Sequence, residues 1–239
     1  MISERKFAEK FTSFWNDTLP RGAAVSRHIN LQVNRFAKPL QSEIPGSRRA
    51  LVNELGFRLF VERIRDGQVM ATAPELALAI EIGRTVAQFL SIEMTSPPSD
   101  DVWDPNTVEI EEAMILAHRL ARFFLRYEAK ASILPEPHFA GCGLLESCQG
   151  DILAGSTLYE VKSGEASFRL ADLRQVLSYC ALNHAGRFYS ITSVGFINPR
   201  LGIYSIVDID ALARSAAGIS ADRLLFDITH FLVSQSASL

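Results

Sequence analysis

The sequence predicts a mixed α/β (α+β) fold, a layered sheet-and-helix domain behind an all-helical segment. Three observations predict it. Residues 1–105 carry apolar positions at three- and four-residue spacing, the period of helices with one buried face. After the stretch "TSPPSDDVWDPN" (95–106) short β-like runs appear instead. Those runs follow one another as α-β-β-β-α-β-β, the succession of a mixed sheet flanked by helices.

Taken in order, helices are expected at 3–17, 22–38, 47–66 and 74–92, punctuated by Pro20, Pro45-Gly46, Gly67 and Pro74. The Pro- and Asp-rich stretch at 95–106 is the candidate linker, dividing a helical region, 1–105, from a second domain, 106–239. There a helix is expected at about 107–130 and β-like runs near 138–145, 149–154 and 157–163. A helix at 168–183, strands near 188–197 and 202–207 and two short helices complete the chain.

Hydrophobic residues make up 48% and charged residues 21%, the composition of a folded globular protein and not of a disordered one. The opening "MISERKFAEKF" has no apolar core segment, and no later run approaches the length of a membrane span. A soluble, cytoplasmic protein without membrane contact is the expectation. Cys142, Cys148 and Cys180 have neither CxxC spacing nor an even count, so they predict buried free thiols and neither a zinc site nor a disulfide framework. With a net charge of −3, attraction for a polyanion has to come from local patches.

Chemistry concentrates in "GDILAGSTLYEVKSG" (150–164). If Gly155-Ser156 closes a two-residue type II′ hairpin, Ala154 faces Thr157, and counting outward sets Asp151 opposite Glu160. Strand period puts Leu158, Glu160 and Lys162 on one face and Tyr159 and Val161 on the other. Opposed carboxylates repel unless a shared proton or a cation relieves them. Lys162 brings one positive charge, and a divalent metal would bring two. Read alone, an E-x-K triplet is equally the mixed charge of a solvated hairpin.

These residues give the chain a resemblance to the PD-(D/E)XK nuclease superfamily. Asp151 and Glu160-Val161-Lys162 match its signature of an Asp at the start of one strand and an acidic-x-Lys on the next. The helix "RLADLRQVLSYCALN" adds Gln175 and Tyr179 in the Q-x-x-x-Y arrangement of the RecB-like exonuclease branch. The resemblance covers roughly 107–207, with Gly150 in place of the Pro. It implies an α-β-β-β-α-β core and a site in which Asp151, Glu160 and the Val161 carbonyl hold Mg²⁺ or Mn²⁺. Lys162 would then position water, while Gln175 and Tyr179, sharing a polar helix face with Asp172, orient substrate or the groups around the site.

A further acidic ligand is expected from the helix at 107–130. Glu128 lies at the centre of its apolar stripe, which makes it the candidate, with Glu112 and Glu146 as alternatives. Arg119, Arg122 and Arg126 form a basic stripe roughly opposite Glu128, for phosphates or, by default, for solvent. The implied activity is metal-dependent hydrolysis of nucleic acid, DNA before RNA, with DNA repair or defence against mobile DNA as its setting. The alternative is a catalytically inactive nucleic-acid-binding or protein-interaction module on the same fold. Either is compatible with a homo-oligomer or with a larger complex.

Overall fold

The computed structural model of the chain describes residues 1–67, 76–93 and 104–236. Its centre is the hairpin of β5 (Ile152–Ala154) and β6 (Thr157–Val161), in register Ala154 to Thr157 and Ile152 to Tyr159. Gly155 has φ +57° and Ser156 has no positive φ, the pattern of a II′ loop, which a side chain at the first position would strain.

Four more strands extend the hairpin: β1 (Asn34–Arg35), β2 (Ile133–Pro135), β7 (Ser193–Asn198) and β8 (Ile203–Asp208). The six-stranded order is β1-β8-β7-β6-β5-β2. Among the described strands of this sheet only β6 and β7 pair in parallel, and a parallel pair needs a crossover, here α7 (Leu170–Gly186). A two-stranded ribbon of β3 (His138–Phe139) and β4 (Cys148–Gln149) stands apart.

Strand alternation sorts the side chains into two cores. Leu153, Leu158, Val194 and Phe196 pack on the face covered by α7. Ile152, Ala154, Tyr159 and Ile197 pack on the opposite face, against α4 (Arg49–Arg65) and α6 (Thr107–Tyr127). Fully burying each Leu, Ile, Val or Phe among them contributes about 1.5–3 kcal/mol. The Tyr159 ring lies so close over β7 that a Cβ on Gly195 would sit 2.3 Å from Tyr159 Cδ1, so Gly195→Ala would push the ring out of place.

The helices of the amino-terminal segment pack into both cores of the sheet. Helices α1 (Glu4–Lys10), α2 (Thr12–Thr18) and α3 (Gly22–Leu31) place Phe7, Trp15 and Ile29 in the α7-side core, while Val52, Leu55 and Phe60 of α4 enter the other. Both faces of the sheet are apolar, and this segment supplies much of their cover. The helix expected over 22–38 stops at Leu31, and Asn34–Arg35 pair with the open edge of β8. α5 (Leu76–Glu93) packs on α4. Of the expected linker, residues 95–103 lie outside the described residues.

The strand expected at 138–145 is confined to His138–Phe139, and β2 is an additional strand. Of the closing helices, α8 (Ile209–Ala217) is short, but α9 (Ala221–Ser236) is a full element. Among the described residues, no helix is long and apolar enough to cross a membrane.

Candidate active site

The hairpin register places Asp151 one step beyond the Ile152–Tyr159 pair, opposite Glu160, and strand parity turns both toward α7. Lys162 follows on the same face. Its Nζ lies 2.7 Å from Glu160 Oε1 and 3.6 Å from Asp172 Oδ1, and it donates to Gln175 Oε1 at 3.2 Å. The relay continues along α7. Gln175 Nε2 donates to the Tyr179 hydroxyl at 2.9 Å, and that hydroxyl donates to Glu4 Oε1 at 3.3 Å. Asp151 Oδ2 accepts the Val161 N–H at 2.6 Å. The backbone of Val161 thus faces Asp151, and a strand residue's C=O points to the same side as its N–H.

Asp151, Glu160, Val161, Lys162, Gln175 and Tyr179 all line one cleft of about 490 Å³. The structure therefore brings together every residue singled out from the hairpin and from the Q-x-x-x-Y helix. The polar face expected on that helix is not solvated, however: α7 is buried on all sides from Asp172 to Asn183, because α1 and α9 pack on it as well as the sheet.

Electrostatics mark the same spot. Burial, and next the charge of Asp151, push the Glu160 carboxyl up to about 8. Burial pushes Asp151 up to about 6, against the opposing pull of the Val161 N–H and of Lys162. Burial disfavours the Lys162 ammonium, but Glu160 and Asp172 outweigh it and its pKa is raised. Tyr179 is raised too, by burial and then by the charges of Glu160 and Asp151. Glu160 Oε2 is buried and has no hydrogen-bond partner, a costly arrangement for a carboxylate.

Glu128 does not join this site. It caps α6 on the opposite side of the sheet, where its Oε1 accepts the Tyr159 hydroxyl. Tyr159 and Glu160 are consecutive strand residues and point to opposite faces, and Glu128, bound to the Tyr159 hydroxyl, is not among the residues that line the cleft. The alternatives fail likewise: Glu112 is paired with Arg200 at 2.6 Å, and Glu146 is exposed outside the cleft.

The carboxylates that do line the cleft beside the pair are Glu4 of α1, Glu54 of α4 and Glu136. Sequence reading missed Glu4 and Glu54, along with Arg5 and Arg58 on the same two helices. Glu54 and Arg58 bond at 2.9 Å as an i,i+4 pair, a spacing that in sequence is indistinguishable from a surface ion pair. The charge of Glu54 adds to the upward push on Asp151.

Among the described residues, no three His, Cys, Asp or Glu side chains form a ready-made metal site. A cation here would rest on two carboxylates and backbone oxygen. The donor set still fits one. The oxygens are hard, five acidic residues line the cleft against three basic ones, Arg5, Arg58 and Lys162, and one buried carboxylate oxygen lacks a donor. Compared with known proteins, the chain matches no protein-family model, and a search of curated proteins gives no match.

Proposed function

We propose that the cleft is the active site of a metal-dependent nuclease hydrolysing phosphodiester bonds of nucleic acid, with DNA favoured over RNA. The observation that carries this reading is the Glu160 carboxylate. It is 2% exposed, stands opposite a second carboxylate, and keeps one oxygen without a donor although Lys162 already contacts the other. Folding alone gains nothing from such a pair, since opposed buried carboxylates destabilise the apo protein. The succession α6-β2-β5-β6-α7-β7, with β2, β5, β6 and β7 adjacent in the sheet, supports the α-β-β-β-α-β core of the PD-(D/E)XK resemblance.

In this reading Asp151, Glu160 and the Val161 carbonyl would hold Mg²⁺ or Mn²⁺. The ion, when bound, supplies Lewis acidity and lowers the pKa of coordinated water. Lys162 remains protonated at working pH, because its pKa is raised; it serves as a hydrogen-bond donor that orients water or a phosphate oxygen. Gln175 holds Lys162 from the far side, and Tyr179, kept neutral, fixes the Gln175 amide. Glu54, on the α4 wall, is the nearest replacement for the acidic ligand sought in Glu128. DNA repair or defence against mobile DNA is the biological setting that the resemblance suggests.

Labelled single- and double-stranded DNA and RNA, incubated with the purified protein in Mg²⁺, Mn²⁺ or EDTA, test the reading. Metal-dependent product that is lost in Lys162→Ala is the expected result. One observation favours a second reading, a binding module without turnover: Lys162 sits directly on Glu160 as its counter-ion, and among the described residues no group of three ligating side chains is gathered there. That reading requires metal-insensitive binding and no product from any substrate.

A further inference from the structure

The basic stripe on α6 has no part in the cleft. Arg119, Arg122 and Arg126 converge with Phe36 and Tyr127 around a small depression on the α6 side of the sheet, and no acidic residue lines it. Other exposed arginines divide into two groups: Arg84, Arg214 and Arg223 are ion-paired with Asp104, Asp210 and Asp227, while Arg5, Arg27 and Arg187, like the α6 stripe, have no salt bridge among the described residues, and what sets the stripe apart is its clustering beside aromatic rings. Among the described residues, neither Arg122 nor Arg126 has a carboxylate partner. Arg119 spends its Nη1 on the Pro199 and Arg200 carbonyls.

The aromatic component is rigid. Tyr127 is 37% exposed, yet its ring is held 5.0 Å from both Phe123 and Tyr204, centroid to centroid. The Arg126 guanidinium stands 5.4 Å over that ring. Guanidinium groups without a carboxylate partner, beside a fixed and partly exposed ring, fit a chain of phosphates carrying unstacked bases, because any base offers a π face to an aromatic platform. A base paired inside a duplex does not present that face, and a peptide whose side chains are acidic only leaves the platform unused.

We infer that this patch is a binding site for single-stranded nucleic acid, with Arg122 and Arg126 on phosphates and Tyr127 stacking a base. The site stands apart from the cleft and does not depend on the cleft being catalytic. It lies at the end of the sheet to which the cleft belongs: Arg119 holds the Pro199–Arg200 turn, and the Arg200 side chain donates to the Ser163 carbonyl beside Lys162 at 2.9 Å.

The test is binding of a labelled single-stranded oligonucleotide to the full chain in EDTA, read by anisotropy across a salt series. For wild type we expect affinity that falls with salt. The double variant Arg122→Ala/Arg126→Ala should bind at least tenfold more weakly, with a log–log salt slope shallower by about 1.4, two contacts at about 0.7 each. Arg122→Lys/Arg126→Lys should keep the slope, and Tyr127→Ala should weaken single strands while leaving the slope alone. The control Arg214→Ala/Arg223→Ala should change nothing. Wild-type affinity in the α6 double variant overturns the site, as does duplex bound as tightly as single strand or an unchanged Tyr127→Ala. Loss of cleavage with these effects intact would count against the nuclease reading and not against the patch.

Discussion

Tyr159 and Glu160 are neighbours on one strand, both essentially removed from solvent, and they meet opposite fates. The Tyr159 hydroxyl turns to the α6 face and finds Glu128; burial and that bond raise its pKa and keep it neutral. Glu160 turns to the α7 face, finds one lysine and a second carboxylate, and keeps an oxygen unsatisfied. A buried polar group that its own fold satisfies is structural. One that the fold leaves short of a donor and overcharged points to something that arrives later.

The largest expected difference between the two faces is in turnover. Glu160→Gln keeps shape and removes the charge, so cleavage should fall by about 10²–10⁴-fold, the scale of losing an electrostatic or proton-handling group at the reacting centre. Tyr159→Phe should stay within about twofold of wild type. Equal losses in both variants, measured as initial rates in Mg²⁺, would break the contrast and reduce the Glu160 effect to a matter of packing.

Next in size is the dependence of stability on pH. The ordinary values of Asp151 and Glu160 are 3.8 and 4.5, and burial pushes them up to about 6 and about 8 in the folded protein. Their pKa values are raised, so the folded state binds these protons more tightly than the unfolded chain does. The stability this lends is full below about pH 4 and is lost as pH rises through 6 and then 8, at about 1.4 kcal/mol for each tenfold change in proton affinity. Melting in EDTA should therefore worsen from pH 6 to pH 9, more in wild type than in Glu160→Gln. Millimolar Mg²⁺ should restore the wild type at the alkaline end, as any ligand of the folded form alone does. A wild-type profile parallel to that of Glu160→Gln, with no effect of the ion, removes the grounds for a cation site.

How much of this was legible follows the range of the interactions. The loop at Gly155-Ser156 and the period of two fixed which side chains share a face, and both are properties of a few consecutive residues. The α7 pair Gln175 and Tyr179 was legible for the same reason, one helical turn apart. Burial of the rest of α7 was not, because it depends on α1 and α9, from the two ends of the chain. Glu4 and Glu54 entered the cleft unannounced, since no local pattern says that α1 and α4 line it. Glu128 was misplaced by the opposite route: its position on the apolar stripe of α6 was correct, and the sheet face meeting that stripe carries Tyr159 instead of the carboxylate pair. Asn34–Arg35 continue a helical pattern locally and are taken into the sheet by the open edge of β8.

The smallest effect sharpens the structural side of the contrast. If the Tyr159–Glu128 bond exists to satisfy two groups that burial would otherwise strand, removing one partner should cost more than removing both. Tyr159→Phe leaves Glu128, a half-buried carboxylate at the end of α6, without its donor, and about 1–3 kcal/mol of stability should be lost. Glu128→Gln keeps an acceptor for the hydroxyl and should lose less. Combining Tyr159→Phe with Glu128→Leu replaces the pair by apolar groups, and the double variant should recover part of the loss, a coupling that urea melts of wild type, Tyr159→Phe, Glu128→Leu and the double variant measure directly. None of these changes should alter the response to Mg²⁺. A shift in metal-induced stabilisation in Tyr159→Phe would mean that the two faces communicate through the strand, and that Glu128, though on the far side, takes part in the cleft after all.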